Sequence, residues 1–87
     1  MVQVLIPSQL IAYTDGASRV QAAGATVGAV MEDLDRRYAG LRFRVVDEQG
    51  RIRKHMRIYV GQERAHDLAR PVAPGEEVMI FGALSGG

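Results

Sequence analysis

Apolar positions along this 87-residue chain fall into two periods. Val2, Val4 and Ile6 alternate with Gln3 and Leu5, a period of two that predicts a first strand ending at Pro7. Asp15-Gly16 is a turn signal, and residues 18–22 predict a short return strand with Val20 toward the core. Residues 8–14 are longer than a tight hairpin needs, so Leu10 or Ile11 is expected to pack back on the domain. The period then lengthens. Val27, Val30, Met31, Leu34 and Tyr38 form one apolar stripe of a helix, with Thr26 as its N-cap and Gly40 as the C′ residue in αL. Met31 and Tyr38 read as core on that stripe.

An irregular stretch follows, containing Leu41, Phe43 and a Glu48-Gln49-Gly50 turn. Residues 51–60 return to a period of two. Ile52, Met56, Ile58 and Val60 point one way, interrupted by Lys54, and Arg51, Arg53, His55, Arg57 and Tyr59 point the other. Gly61-Gln62 predicts a turn, residues 63–68 a short edge strand, and Pro74-Gly75 positions i+1 and i+2 of a type II turn before a last strand over 77–81. A lone helix must bury its stripe on the sheet, so the expected fold class is α+β, a mixed sheet of four to five strands with one helix packed across one face. The first and last strands are the most apolar and are expected side by side at the centre. That is the β-grasp arrangement, which periodicity alone does not separate from other small α+β folds.

Size allows one domain with one modest core. With no cysteine, thiolate chemistry and thiolate metal sites are excluded. Nothing at the N-terminus reads as a signal peptide and no stretch is long and apolar enough to span a membrane as a helix, so a cytoplasmic protein without a membrane partner is expected. The net charge of +1 hides an uneven distribution. Residues 36–57 hold eight of the eleven Lys/Arg against two acidic residues, making that segment +6 and the remainder −5. Such a segment could meet phosphate or an acidic protein surface, or be a solvated strand face.

Catalytic patterns are missing. His55 and His66 have no partner at metal-ligand spacing and read as surface histidines. Ser8, Ser18 and Ser85 lack a nucleophile-elbow context, and Gly24 and Gly28 flank a helix start without a phosphate-loop pattern. The chain is therefore expected to be a substrate or partner of enzymes and to bind no cofactor itself.

The C-terminus carries the remaining signal. Ser85-Gly86-Gly87 ends the sequence, and glycines without a Cβ can thread a slot too narrow for side chains. The expected organisation is a domain over 1–81 and a flexible diglycine tail over 82–87, long enough to hold its carboxylate about 20 Å from the body. A frayed, functionless terminus is the alternative.

Several segments together resemble the bacterial sulfur-carrier proteins of the ubiquitin-like β-grasp superfamily. They are Val4-Leu5-Ile6-Pro7, Thr26-Val27-Gly28-Ala29-Val30 through Asp33-Leu34, Tyr38-Ala39-Gly40-Leu41, Ile58-Tyr59-Val60-Gly61, Pro74-Gly75-Glu76-Glu77-Val78 and Leu84-Ser85-Gly86-Gly87. That superfamily includes the small subunit of molybdopterin synthase and the carriers of thiamine, tRNA-thiolation and thiocarboxylate-dependent cysteine pathways. Ile6-Pro7, Leu10 and Tyr13-Thr14-Asp15-Gly16 are most similar to the cysteine-pathway carrier. Phe81-Gly82-Ala83 departs from the proline-containing run common in molybdopterin-synthase subunits.

The resemblance implies a non-enzymatic sulfur carrier. A ubiquitin-activating-type adenylyltransferase using MgATP would activate the Gly87 carboxylate, a sulfurtransferase or persulfide donor would supply sulfur, and a sulfur-accepting biosynthetic enzyme would take it from the thiocarboxylate. Gly86 and Gly87 would thread the enzyme channel, with Gly82 to Ser85, Leu84 among them, as spacer. Three other readings stand beside it: a molybdopterin-synthase small subunit, a protein modifier joined through Gly87 to lysines, and a nucleic-acid module on the basic segment, which has few free aromatics for stacking. If Val78 and Ile80 face the helix, Met79 and Phe81 face outward beside Tyr59 and Leu5. Rimmed by Arg51, Arg53 and Arg57, they form a candidate partner-binding patch.

Overall fold

A computed structural model describes residues 1–82 of the chain. Leu84, Ser85, Gly86 and Gly87, assigned to the tail, lie outside the described residues. Five strands form one sheet: β1 (Val2–Leu5), β2 (Arg19–Ala22), β3 (Met56–Val60), β4 (Glu63–Ala65) and β5 (Glu77–Gly82). Their order is β2-β1-β5-β3-β4, so the first and last strands are the central neighbours. They run parallel, Val4 opposite Val78, while the β1–β2, β3–β5 and β3–β4 pairs are antiparallel. With helix α1 (Val27–Arg37) on one face, this is the β-grasp topology.

The two periods share one core. Val27, Val30, Met31 and Leu34 are wholly buried and meet Val4, Ile58, Val78 and Ile80 from the sheet. Burying each such side chain contributes about 1.5–3 kcal/mol. The first turn of α1 leaves no N–H group unpaired. Val27 N donates to Arg70 O, Gly28 N to Leu68 O, Ala29 N to Thr26 Oγ1 and Val30 N to Thr26 O. Thr26 thus caps the helix as expected, and the loop before β5 straps itself to the same end. Asp33 ties the other side of α1 to the sheet, accepting from Ala23 N at 2.9 Å and from Arg36 and Arg37.

Three expectations need correction. The period of two over 51–60 is not one strand, because Met56 N donates to Arg53 O in a turn and β3 begins only at Met56. Ile52 instead bridges Val46. The irregular stretch holds a second short helix, α2 (Leu41–Val45), whose Leu41 and Val45 turn inward one turn apart. Gly40 is left-handed at φ 93°, yet it precedes α2, and the last turn of α1 is capped at Tyr38. Elsewhere the outcome follows the pattern. Pro74-Gly75 occupies a turn closed by Glu76 N to Ala73 O, with Gly75 at φ 87° as type II requires. Residues 8–14 form a 3-10 segment that buries Leu10. Strand β5 runs one residue past Phe81, with Gly82 opposite Met56. Among the described residues no helix is long and apolar enough to cross a membrane.

Two stability outcomes are expected. A Cβ at Gly24 would lie 2.6 Å from Val30 N and 2.8 Å from Ala29 C, both backbone atoms of α1. Gly24→Ala should therefore lower unfolding free energy in denaturant titration by about 1–3 kcal/mol. The Ala23 N–H, then Arg36 and Arg37, hold the Asp33 carboxyl below its ordinary range. Because the folded state lowers this pKa, its stabilisation is complete above the unfolded value of about 3.9 and fades as pH falls through the folded value. The stability gap between wild type and Asp33→Asn should shrink when measured below about pH 4.

Candidate functional site

Strand alternation sets up the site. In β5 Val78 and Ile80 are buried under the helix, so Met79 and Phe81 project from the opposite face. In β3 Ile58 and Val60 are buried, so Arg57 and Tyr59 project beside them. The register places Leu5, Met79 and Tyr59 in one row across β1, β5 and β3, with Arg57 opposite Phe81 in the next. The Tyr59 and Phe81 rings meet edge to face, centroids 5.7 Å apart and planes at 80°.

Arg57, Tyr59, Gly61, Gln62, Met79 and Phe81 enclose a shallow, mainly apolar hollow of about 580 Å³. Its far wall is the β3–β4 turn, where Gly61 takes φ 62° to close a two-residue hairpin and its N–H donates to Glu77 O. Arg57 stays at the rim because its guanidinium donates to Lys54 O at 2.8 Å and Met56 O at 3.1 Å. Phe81 is 47% exposed, a large apolar side chain kept in water at the end of the last described strand. Among the described residues no carboxylate lines the hollow.

The structure brings together Phe81, Met79, Tyr59 and Arg57 of the candidate residues. Arg53 stands apart. Since β3 starts only at Met56, Arg53 lies in the preceding turn, donates from Nε to Phe43 O at 2.7 Å and covers the Phe43 ring at 4.5 Å. Arg51 is likewise off this face, donating to Gln49. His55 and His66 are exposed. Gly61 and Gln62 were missed as lining residues. Their turn was legible, but its bend over the hollow depends on strand register.

These features admit comparison with known proteins. The ThiS family model matches residues 4–87. This chain belongs to the ThiS family. Within reach of this ThiS-family chain is the sulfur carrier protein CysO of Mycobacterium tuberculosis, 37% identical over 91 aligned residues that cover 99% of this chain and 98% of that protein. The crystal structure of M. tuberculosis CysO, described as an antigen, superposes with a TM-score of 0.91 at 36% identity, covering 97% of this chain and all of that one. A chain of the Amycolatopsis orientalis BexX/CysO complex superposes at 0.92 with 33% identity and full coverage of both. SAMP1 of Haloferax volcanii superposes at 0.78 with 28% identity, covering 99% of this chain and 98% of that one. The ThiS-family chain is thus a homologue of CysO along nearly its whole length.

A residue kept exposed on this face should matter little to folding. Phe81→Ala should cost under about 1.5 kcal/mol in denaturant unfolding, whereas Ile80→Ala, its inward neighbour, should cost about 2–5 kcal/mol.

Proposed function

We infer that this chain is a sulfur carrier whose chemistry resides on the Gly87 carboxylate and whose β-grasp body serves as the handle that enzymes grip. The observation that carries this reading is the family match, which runs through Gly87 and joins the diglycine to a body homologous to CysO. A carboxylate resists nucleophiles because its charge repels them and oxide is a poor leaving group. Adenylation removes both obstacles. In a partner adenylyltransferase holding MgATP, a Gly87 carboxylate oxygen attacks the α-phosphate and pyrophosphate departs. Sulfide then displaces AMP to leave a thiocarboxylate. With a persulfide donor the product is an acyl disulfide, which a thiol cleaves. The thiocarboxylate sulfur is the nucleophile passed to a sulfur-accepting enzyme in the biosynthesis of cysteine or another sulfur-containing metabolite.

The body contributes recognition. The hollow formed by Arg57, Tyr59, Met79 and Phe81 is an aromatic and apolar patch with an arginine at its rim, the composition of an interface centre. Strand β5 borders it and ends at Gly82, five residues before Gly87 in the sequence, so an enzyme seated there is proposed to receive Gly86 and Gly87. The proposed use of MgATP by an adenylyltransferase supports a cytoplasmic site of action. The likeness to SAMP1, named a small archaeal modifier protein, favours a second reading in which Gly87 is joined to lysines of other proteins.

ATP–pyrophosphate exchange by the adenylyltransferase of the same organism tests the activation step. Wild type should support exchange and a Gly87-deleted variant should not; no exchange with wild type removes the carrier reading. The double variant Phe81→Ala, Tyr59→Ala should stay folded and raise the KM for the carrier about tenfold or more. An unchanged KM would take the docking role away from the hollow.

A further inference from the structure

Apart from Met1, two large apolar residues are exposed among the described residues, Phe81 at 47% and Phe43 at 55%. Phe81 belongs to the hollow already described. Phe43 sits on the outer side of α2, since Leu41 and Val45 occupy its inner side. A second, half-enclosed pocket of about 300 Å³ lies beside Phe43. Buried Leu10 and Met56 line its inner side, and its rim carries Gln9, Phe43, Arg44, Arg53 and His55. Among the described residues no carboxylate lines it and neither Arg44 nor Arg53 forms an ion pair. No described acidic group neutralises their positive charge.

The location gives this charge a use. Met56 pairs with Gly82 across β3 and β5. The Gln9 side chain lies against Gly82 so closely that a Cβ there would meet its Nε2. The pocket therefore adjoins the helix side of the last described residue, while Phe81 and the apolar hollow occupy the open side one residue earlier. The end of the described chain thus lies between two surfaces of different chemistry. An exposed phenylalanine under an arginine, in a cleft of unpaired positive charge, has the aromatic and arginine make-up of an interface centre and fits carboxylates carried beside apolar side chains.

We propose that Phe43, Arg44, Arg53 and His55 form a second docking surface, engaged by an acidic segment of the adenylyltransferase at the entrance through which it takes the C-terminal residues. The proposal rests on the carrier reading above. The open-face hollow supplies apolar contact, and this surface supplies charge complementarity that orients the strand end as it enters. Opposed charges across the entrance speed encounter and weaken with added salt.

The test measures the Kd between the full chain and the adenylyltransferase of the same organism, at low and high salt. Among the described residues the Arg44 side chain donates no hydrogen bond and its guanidinium lies over the Tyr13 ring at 5.9 Å, so an unchanged thermal melt is required of each variant before its Kd is read. Arg44→Glu should weaken binding about fivefold or more at low salt, Arg44→Gln less, and the salt dependence should fall with each. Arg53→Gln provides an independent second position. Unchanged Kd values in folded Arg44→Glu and Arg53→Gln overturn the proposal while leaving the carrier reading in place. Failure of wild type to support ATP–pyrophosphate exchange overturns both. Salt-dependent binding of single-stranded RNA lost in Arg44→Glu, with enzyme affinity unchanged, reassigns the surface to nucleic acid and also overturns it.

Discussion

The parallel pairing of β1 with β5 at the centre of the sheet is the constraint on which the rest depends. It brings the two ends of the chain together, Gln3 to Leu5 against Glu77 to Met79. Parallel strands need a long crossover, and everything from β2 to β4 serves as that connection. Strand alternation then has no freedom. Once Val4, Val78 and Ile80 are committed to α1, Leu5, Met79 and Phe81 must stand on the open face. A one-residue slip of β5 would bury Phe81 and expose Ile80. The same register that builds the core therefore builds the open-face hollow proposed for docking.

From this follows the division of labour between body and terminus. The body presents an apolar hollow on the open side of β5 and a basic pocket on its helix side, with Gly82 at the strand end beside both. The central strand that adjoins both ends at Gly82. A protein of this kind needs no convergent catalytic groups of its own. What it needs is a rigid strand ending at a known place, and the buried pairs of β5 with β1 and β3 supply that rigidity.

Much of this was legible in the sequence because the informative signals are local. The Val27, Val30, Met31, Leu34 stripe with Thr26 before it required a capped helix. The alternation in 77–81 assigned Met79 and Phe81 outward. The Pro74-Gly75 turn likewise needed only neighbouring residues. Residues 41–57 were less legible for a physical reason. Leu41 and Val45 give one helical turn, too short for a periodic pattern, and Arg51 to Met56 alternate in sequence while the backbone turns at Arg53. Lys54 breaking the apolar series marked that turn. Hence Arg53 left the face assigned to it and joined Phe43, a contact that depends on where α2 sits and that no spacing rule encodes. The roles of Gly86 and Gly87 rest on chemistry and family membership, since they lie outside the described residues.

Intact-mass spectrometry of the protein isolated from its own host under sulfur-replete conditions tests the central claim most directly. The carrier account predicts a mass gain equal to replacing one carboxylate oxygen by sulfur, mapping to Gly87 and absent from a Gly87-deleted variant. An unmodified Gly87 together with higher-mass species joined through it to lysines would contradict the account and establish a protein modifier instead.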